Sequence, residues 1–224
     1  MKNLIINKEN NELNFNFLMW ATVALIVLTP LIREFSGIKF LFNIGLTVMF
    51  LSGIYGLASN KKRLIIATVL YIPMFVSTWS DYFPKIIALK LIGNLSGFIL
   101  AMGLIFFIFK VISRARTVNI ELIKAAITAY LLMGVAWTLP YIVVAYYLPN
   151  SFSGIEAGIG AGEIAQSLFY FSYITLTTLG YGDITPVSGI AQSLAIVEAI
   201  VGQLYLVVVI SWLVGIKVGH DLKE

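Results

Sequence analysis

The sequence predicts an all-α integral membrane protein with six transmembrane helices and one shorter re-entrant helix. Three observations lead there. The 224 residues are 59% hydrophobic and 12% charged, with mean hydropathy +0.93, whereas soluble domains are nearer half apolar and about a quarter charged. Six apolar runs approach the roughly 20 residues that a spanning helix needs. A further segment, Glu163 to Thr177, is too short to cross a bilayer and leads directly into the stretch TLTTLGYGD at 175–183.

The elements follow in order. Residues 1–14 are polar, with Lys2, Lys8, Glu9 and Glu12, and read as a cytoplasmic tail or an interfacial helix. Phe15 to Ile32 is the first span. A cleaved signal peptide is the competing reading, but no small-residue cleavage site follows and the run is long for one. Ile38 to Ala58, Leu64 to Trp79 and Ile86 to Phe109 come next. The third is shortest and holds Pro73, which a bundled helix tolerates when neighbours or hydroxyls satisfy the freed carbonyl. Gly93 and Gly97 have the spacing that permits close helix contact, though chance spacing explains them equally well. Residues 110–121 read as a cytoplasmic linker, and Leu122 to Leu148 as the fifth span with Pro140 inside. Pro149 to Gly162 reads as an exposed, glycine-rich turret. Its Gly158-Ile-Gly-Ala-Gly162 does not join a strand to a helix, so a phosphate loop is discarded. Gly189 to Val218 is the sixth span, and residues 219–224 form a cytoplasmic tail.

Positive residues orient the spans. One side receives Lys2, Lys8, Lys61, Lys62, Arg63, Lys110, Arg114, Arg116, Lys124, Lys217 and Lys223. The other receives Arg33, Lys39, Lys85 and Lys90. The excess on the first side places both termini in the cytoplasm. The net charge of +4 is modest and lacks a basic patch with interleaved aromatics, so no nucleic-acid partner is expected. There is no cysteine, hence no disulfide or thiolate metal site. The only histidine is His220, and no nucleophile–base pair or metal constellation appears, so neither an enzyme nor a cofactor is expected.

The nine residues Thr175 to Asp183 combine paired threonines, an apolar residue, Gly-Tyr-Gly and an acid in fixed order. This resembles the selectivity-filter signature of the potassium channel family. The likeness spreads over residues 122–218, which resemble the two-helix pore module of bacterial potassium channels. It implies that Thr178, Leu179, Gly180, Tyr181 and Gly182 form the filter, with K+ held at Thr178, Leu179, Gly180 and Tyr181 by backbone carbonyls that replace its water. Gly180 and Gly182 lack a Cβ and reach φ > 0. Alternating them with ordinary residues aims successive carbonyls one way. Leu179 and Tyr181 then point away and brace the loop. Thr177, Asp183, Tyr170 and Phe171, with Phe169, are implied as filter support. One loop cannot surround an ion, so a homotetramer is implied.

Further expectations follow from the same resemblance. Gly202 falls where many members place a hinge, with tight packing as the even alternative. Gln203, Leu206 and Ile210 share a helical face that would line the cavity. Glu198 is costly in an apolar span unless paired, and a structural hydrogen bond near the pore helix is expected. Ile174 stands where some members carry a glutamate, so the family's acid-pair inactivation is in doubt. Residues 15–109 occupy the place of a voltage sensor, yet the fourth span offers only Lys85 and Lys90 before Lys110. A degenerate, non-sensing peripheral domain is therefore expected. Nothing after Val218 has the length of a nucleotide- or calcium-binding domain. The reading is a potassium-selective, multi-pass channel of a prokaryotic cell membrane, in contact with lipid. The alternatives are a weakly selective cation channel and a non-conducting scaffold or sensor. An uptake-transporter subunit is disfavoured, because those carry four unequal pore loops in one chain.

Overall fold

The computed structural model describes residues 15–34, 40–56, 61–80, 87–156 and 158–221. The expected 1–14 tail, Lys39, Lys85 and Lys223 lie outside the described residues, as do the side chains of Arg33 and His220. Seven helices are present among the described residues: α1 (Asn16–Glu34), α2 (Phe40–Gly56), α3 (Lys61–Trp79), α4 (Ile87–Arg114), α5 (Ile120–Tyr147), α6 (Ala161–Leu176) and α7 (Gly189–Asp221). Two short strands, β1 (Phe152–Ser153) and β2 (Thr185–Pro186), pair antiparallel.

Four helices, α3, α4, α5 and α7, are long and apolar enough to cross a membrane. Both α1 and α2 are apolar as well, α1 with 19 residues, as many as α3, and α2 with 17. At 1.5 Å per residue, the 17 residues of α2 reach about 26 Å, slightly less than the hydrocarbon thickness. In α1 to α5, hydroxyls turn back on their own helix, as where Thr22 Oγ1 donates to the Leu18 carbonyl at 2.8 Å and Thr138 Oγ1 to that of Gly134 at 2.7 Å. Polar side chains are satisfied in this way without leaving an apolar helix.

The packing has two tight hairpins, α1 with α2 and α3 with α4, laid against α5. The principal contacts to α5 come from α4 and, less extensively, from α1. Small residues set the closeness of α3 and α4. A Cβ on Gly93 would fall on the Ser77 side chain and 2.9 Å from the Pro73 carbonyl oxygen; one on Gly97 would lie 3.0 Å from Met74 and 3.2 Å from Leu139 of α5. The Gly93/Gly97 pair therefore does pack closely.

The helix ends around the linker differ from the expectation. The linker placed at 110–121 is mostly helical: α4 continues to Arg114, drawn on by the burial of Ile112, and only 115–119 connect the helices. Asn119 then caps α5, its Oδ1 accepting from the Leu122 amide at 2.9 Å. The segment read as an exposed turret is mostly exposed but tied down near its start. Ser151 and Phe152 are buried, and the Ser151 carbonyl accepts from the Val187 amide at 2.8 Å.

Candidate functional site

The short helix α6 and the loop after it sit between α5 and α7. Its 16 residues span about 24 Å, less than a bilayer core. At its start the Glu163 carboxylate accepts from the Gly160 amide at 2.9 Å, satisfying one of the amides a helix leaves unpaired. At its other end the Thr177 hydroxyl donates to the Tyr173 carbonyl at 2.6 Å, and the amides of Thr178 and Gly180 turn back to the carbonyls of Thr175 and Ile174 at 3.0 and 3.2 Å. The carbonyl end of the helix, with its partial negative charge, therefore lies directly before Thr178.

The loop backbone alternates in hand. Thr178 has φ 60°, Gly180 φ 53° and Gly182 φ 81°, while Leu179 and Tyr181 keep negative φ. Reversal at every second residue is a backbone pattern that can aim successive carbonyls one way. For glycine this costs little. For the β-branched Thr178 it is a strained conformation, worth about 1–3 kcal/mol. The sequence reading assigned positive φ to the glycines alone. Thr178 Oγ1 accepts from the Gln203 amide at 3.4 Å, which links the loop to the exposed face of α7 that also carries Leu206 and Ile210.

Several polar contacts hold α6 in place. Glu198 of α7 is completely buried. Tyr141 of α5 donates to its Oε2 at 2.5 Å, and the Ser172 hydroxyl of α6 lies 2.5 Å from its Oε1. Ser172 also reaches the Gly134 carbonyl at 2.7 Å, and its single proton serves one of these acceptors at a time. Tyr173 donates to the Leu131 carbonyl at 2.6 Å, Tyr130 to that of Leu176 at 3.3 Å, and Tyr205 to that of Ala126 at 2.7 Å. Gly134 makes room for Tyr173, whose ring would be 2.6 Å from a Cβ there. The expected structural hydrogen bond of Glu198 is thus a node joining three helices. The hydroxyl partners on α5 and α6 were missed, because the sequence does not show which helix faces meet.

The loop's exit is held by the strand pair. Gly154, at φ 83°, lies against the Asp183 carbonyl so closely that a Cβ would overlap it. This residue was read only as part of a turret. Phe171 stacks edge-on against Tyr141 of α5 and Phe152 of β1. Phe169 packs against Phe42 of α2. Tyr170 and the exposed Asp183 line one cleft of about 570 Å³ with Gln166, Tyr173 and residues of α1. Leu179 and Tyr181 are 57% and 68% exposed. The bracing expected of them is therefore not made within one chain.

Gly202 faces the end of α6. A Cβ there would be 2.7 Å from the Leu176 carbonyl oxygen and 2.8 Å from its side chain. The tight packing weighed against a hinge is present, and α7 runs helical through this point.

Residues 157–216 match a family model described as ion channel. The match takes in α6, the alternating loop and most of α7, and it supports an ion channel in a multi-pass membrane protein. No curated protein and no solved structure matched.

Proposed function

We propose that this protein is a potassium-selective channel that conducts passively through a homotetrameric pore. The observation that supports this best is the alternation of φ sign at Thr178, Gly180 and Gly182, within residues that match the ion-channel model. In this reading the carbonyls of Thr178, Leu179, Gly180 and Tyr181, with Gly182 completing the turn, replace the hydration shell of K+. Thr177 and Asp183 flank them. The exposed faces of Leu179 and Tyr181, and the largely exposed α7, are the surfaces that neighbouring subunits would cover. Gln203, Leu206 and Ile210 would line the water-filled cavity. The excess of positive residues on one side supports cytoplasmic termini, with the Asp183 side of the loop outside.

The test is the reversal potential of the purified full chain in a planar bilayer, with potassium on one side and sodium on the other. A value near the potassium equilibrium potential is expected. Current reversing near zero would replace the proposal with a weakly selective cation channel, and no current under any condition would favour a non-conducting role. Chemical cross-linking of the detergent-solubilised protein is expected to end at a four-chain species.

A further inference from the structure

We infer that a cleft between α3 and α4 is a binding site for an anionic phospholipid. The cleft encloses about 230 Å³. Arg63, near the start of α3, and Lys110, near the end of α4, both line its mouth, because the two helices run antiparallel. The Arg63 guanidinium lies over the Phe107 ring, 4.9 Å from its centroid, which holds it at the opening. Lys61 and Lys62 and the amino end of α3 add to the positive field there.

Away from the mouth the walls are hydrocarbon. Ala67, Leu100 and Leu104 are buried and form the floor, while Ile66, Ile99 and Phe106 stand exposed as the rim. Gly103 opens a notch, since a Cβ there would meet nothing within 4 Å. From Lys110 to Ile99 is about 16 Å along the helix, roughly the depth of one leaflet's hydrocarbon. A phosphate alone would need only the two cations. An acyl chain with an anionic headgroup satisfies both ends. The inference requires α3 and α4 to span the membrane, and is independent of ion selectivity.

The test is native mass spectrometry of the full-length protein in mild detergent, titrated with dioleoyl phosphatidylglycerol or dioleoyl phosphatidylcholine. Wild type is expected to prefer phosphatidylglycerol. The variant Arg63→Gln/Lys110→Gln should lose about thirtyfold in that affinity, roughly fivefold for each cation near an anionic headgroup. Lys217→Gln, outside the cleft, should leave it unchanged. Gly103→Phe should weaken both lipids by filling the notch. Equal binding of the two lipids by wild type would overturn the site. So would equal losses in the double variant and in Lys217→Gln, which would mean diffuse attraction. Displacement of the lipid by inorganic phosphate would show that the hydrocarbon walls contribute nothing, and would overturn it as well. Gel-filtration profiles matching wild type confirm that each variant is folded. If Gly103→Phe fails to fold, the charge variant decides.

Discussion

Gly154 and Gly158 share a backbone angle of φ +83° but not an environment. A Cβ at Gly154 would sit on the Asp183 carbonyl, 2.9 Å from its carbon and 3.1 Å from Ile184 Cα; at Gly158 it would meet nothing within 4 Å. Gly158→Ala is therefore expected to cost about 1 kcal/mol, the strain of the left-handed region alone. Gly154→Ala should cost several times more and displace the loop's exit. Thermal unfolding of the two variants in detergent checks this, and equal midpoints would disprove it. A second pair separates packing from bending in α7. Gly202→Ala would press on Leu176 and should lower the midpoint, whereas Gly215→Ala, with open space around it, should not. If Gly202→Ala altered channel opening with an unchanged midpoint, the hinge would be the better account. At this scale the sequence showed why Gly180 and Gly182 need to be glycines, but not that Gly154 does. Gly154 carries no local mark, because its neighbour Asp183 is distant in the chain.

Among the elements, α6 is the one whose position decides the site, and Glu198 is its principal polar anchor. Glu198→Ala would leave the Tyr141 and Ser172 hydroxyls buried with a lost partner, at about 1–3 kcal/mol for each group. Glu198→Gln keeps an acceptor for Tyr141 and offers an amide donor to Ser172, which frees the Ser172 proton for the Gly134 carbonyl. It should therefore be markedly the milder change, read as the thermal midpoint and as potassium flux from liposomes. The reverse order would mean that the charge, and not the hydrogen bonding, holds α6. The pairing of α3 with α4 has a parallel weak point. Gly93→Val would drive into Ser77 and Pro73, and should destabilise the hairpin by more than the loss of helix propensity, which is under about 1 kcal/mol. The existence of these helices was legible in hydropathy. Their ends were less so: the buried Ile112 continues α4 past the point where the apolar run weakens.

Across the whole molecule, the peripheral helices lie on α5 as two hairpins, and the cations of α4 are few. Lys90 donates to the Ser77 carbonyl at 2.9 Å, and the next cation in α4 is Lys110. Each charge moved across 100 mV supplies only about 2.3 kcal/mol, so a shallow conductance–voltage relation is expected. A steep curve carrying several gating charges would sink this. Composition and order of residues by themselves determined a helical membrane protein and singled out Thr175 to Asp183, because apolar transfer and backbone permissiveness are properties of residues and short segments. Only the tertiary structure decided that α4 and α1 dock on α5, that Tyr141, Ser172 and Glu198 meet, that Gly154 lies against Asp183, and that Thr178 shares the left-handed backbone of the glycines. Each of these depends on which surfaces face each other in space, and packing between segments far apart in the chain leaves no periodic trace in either one.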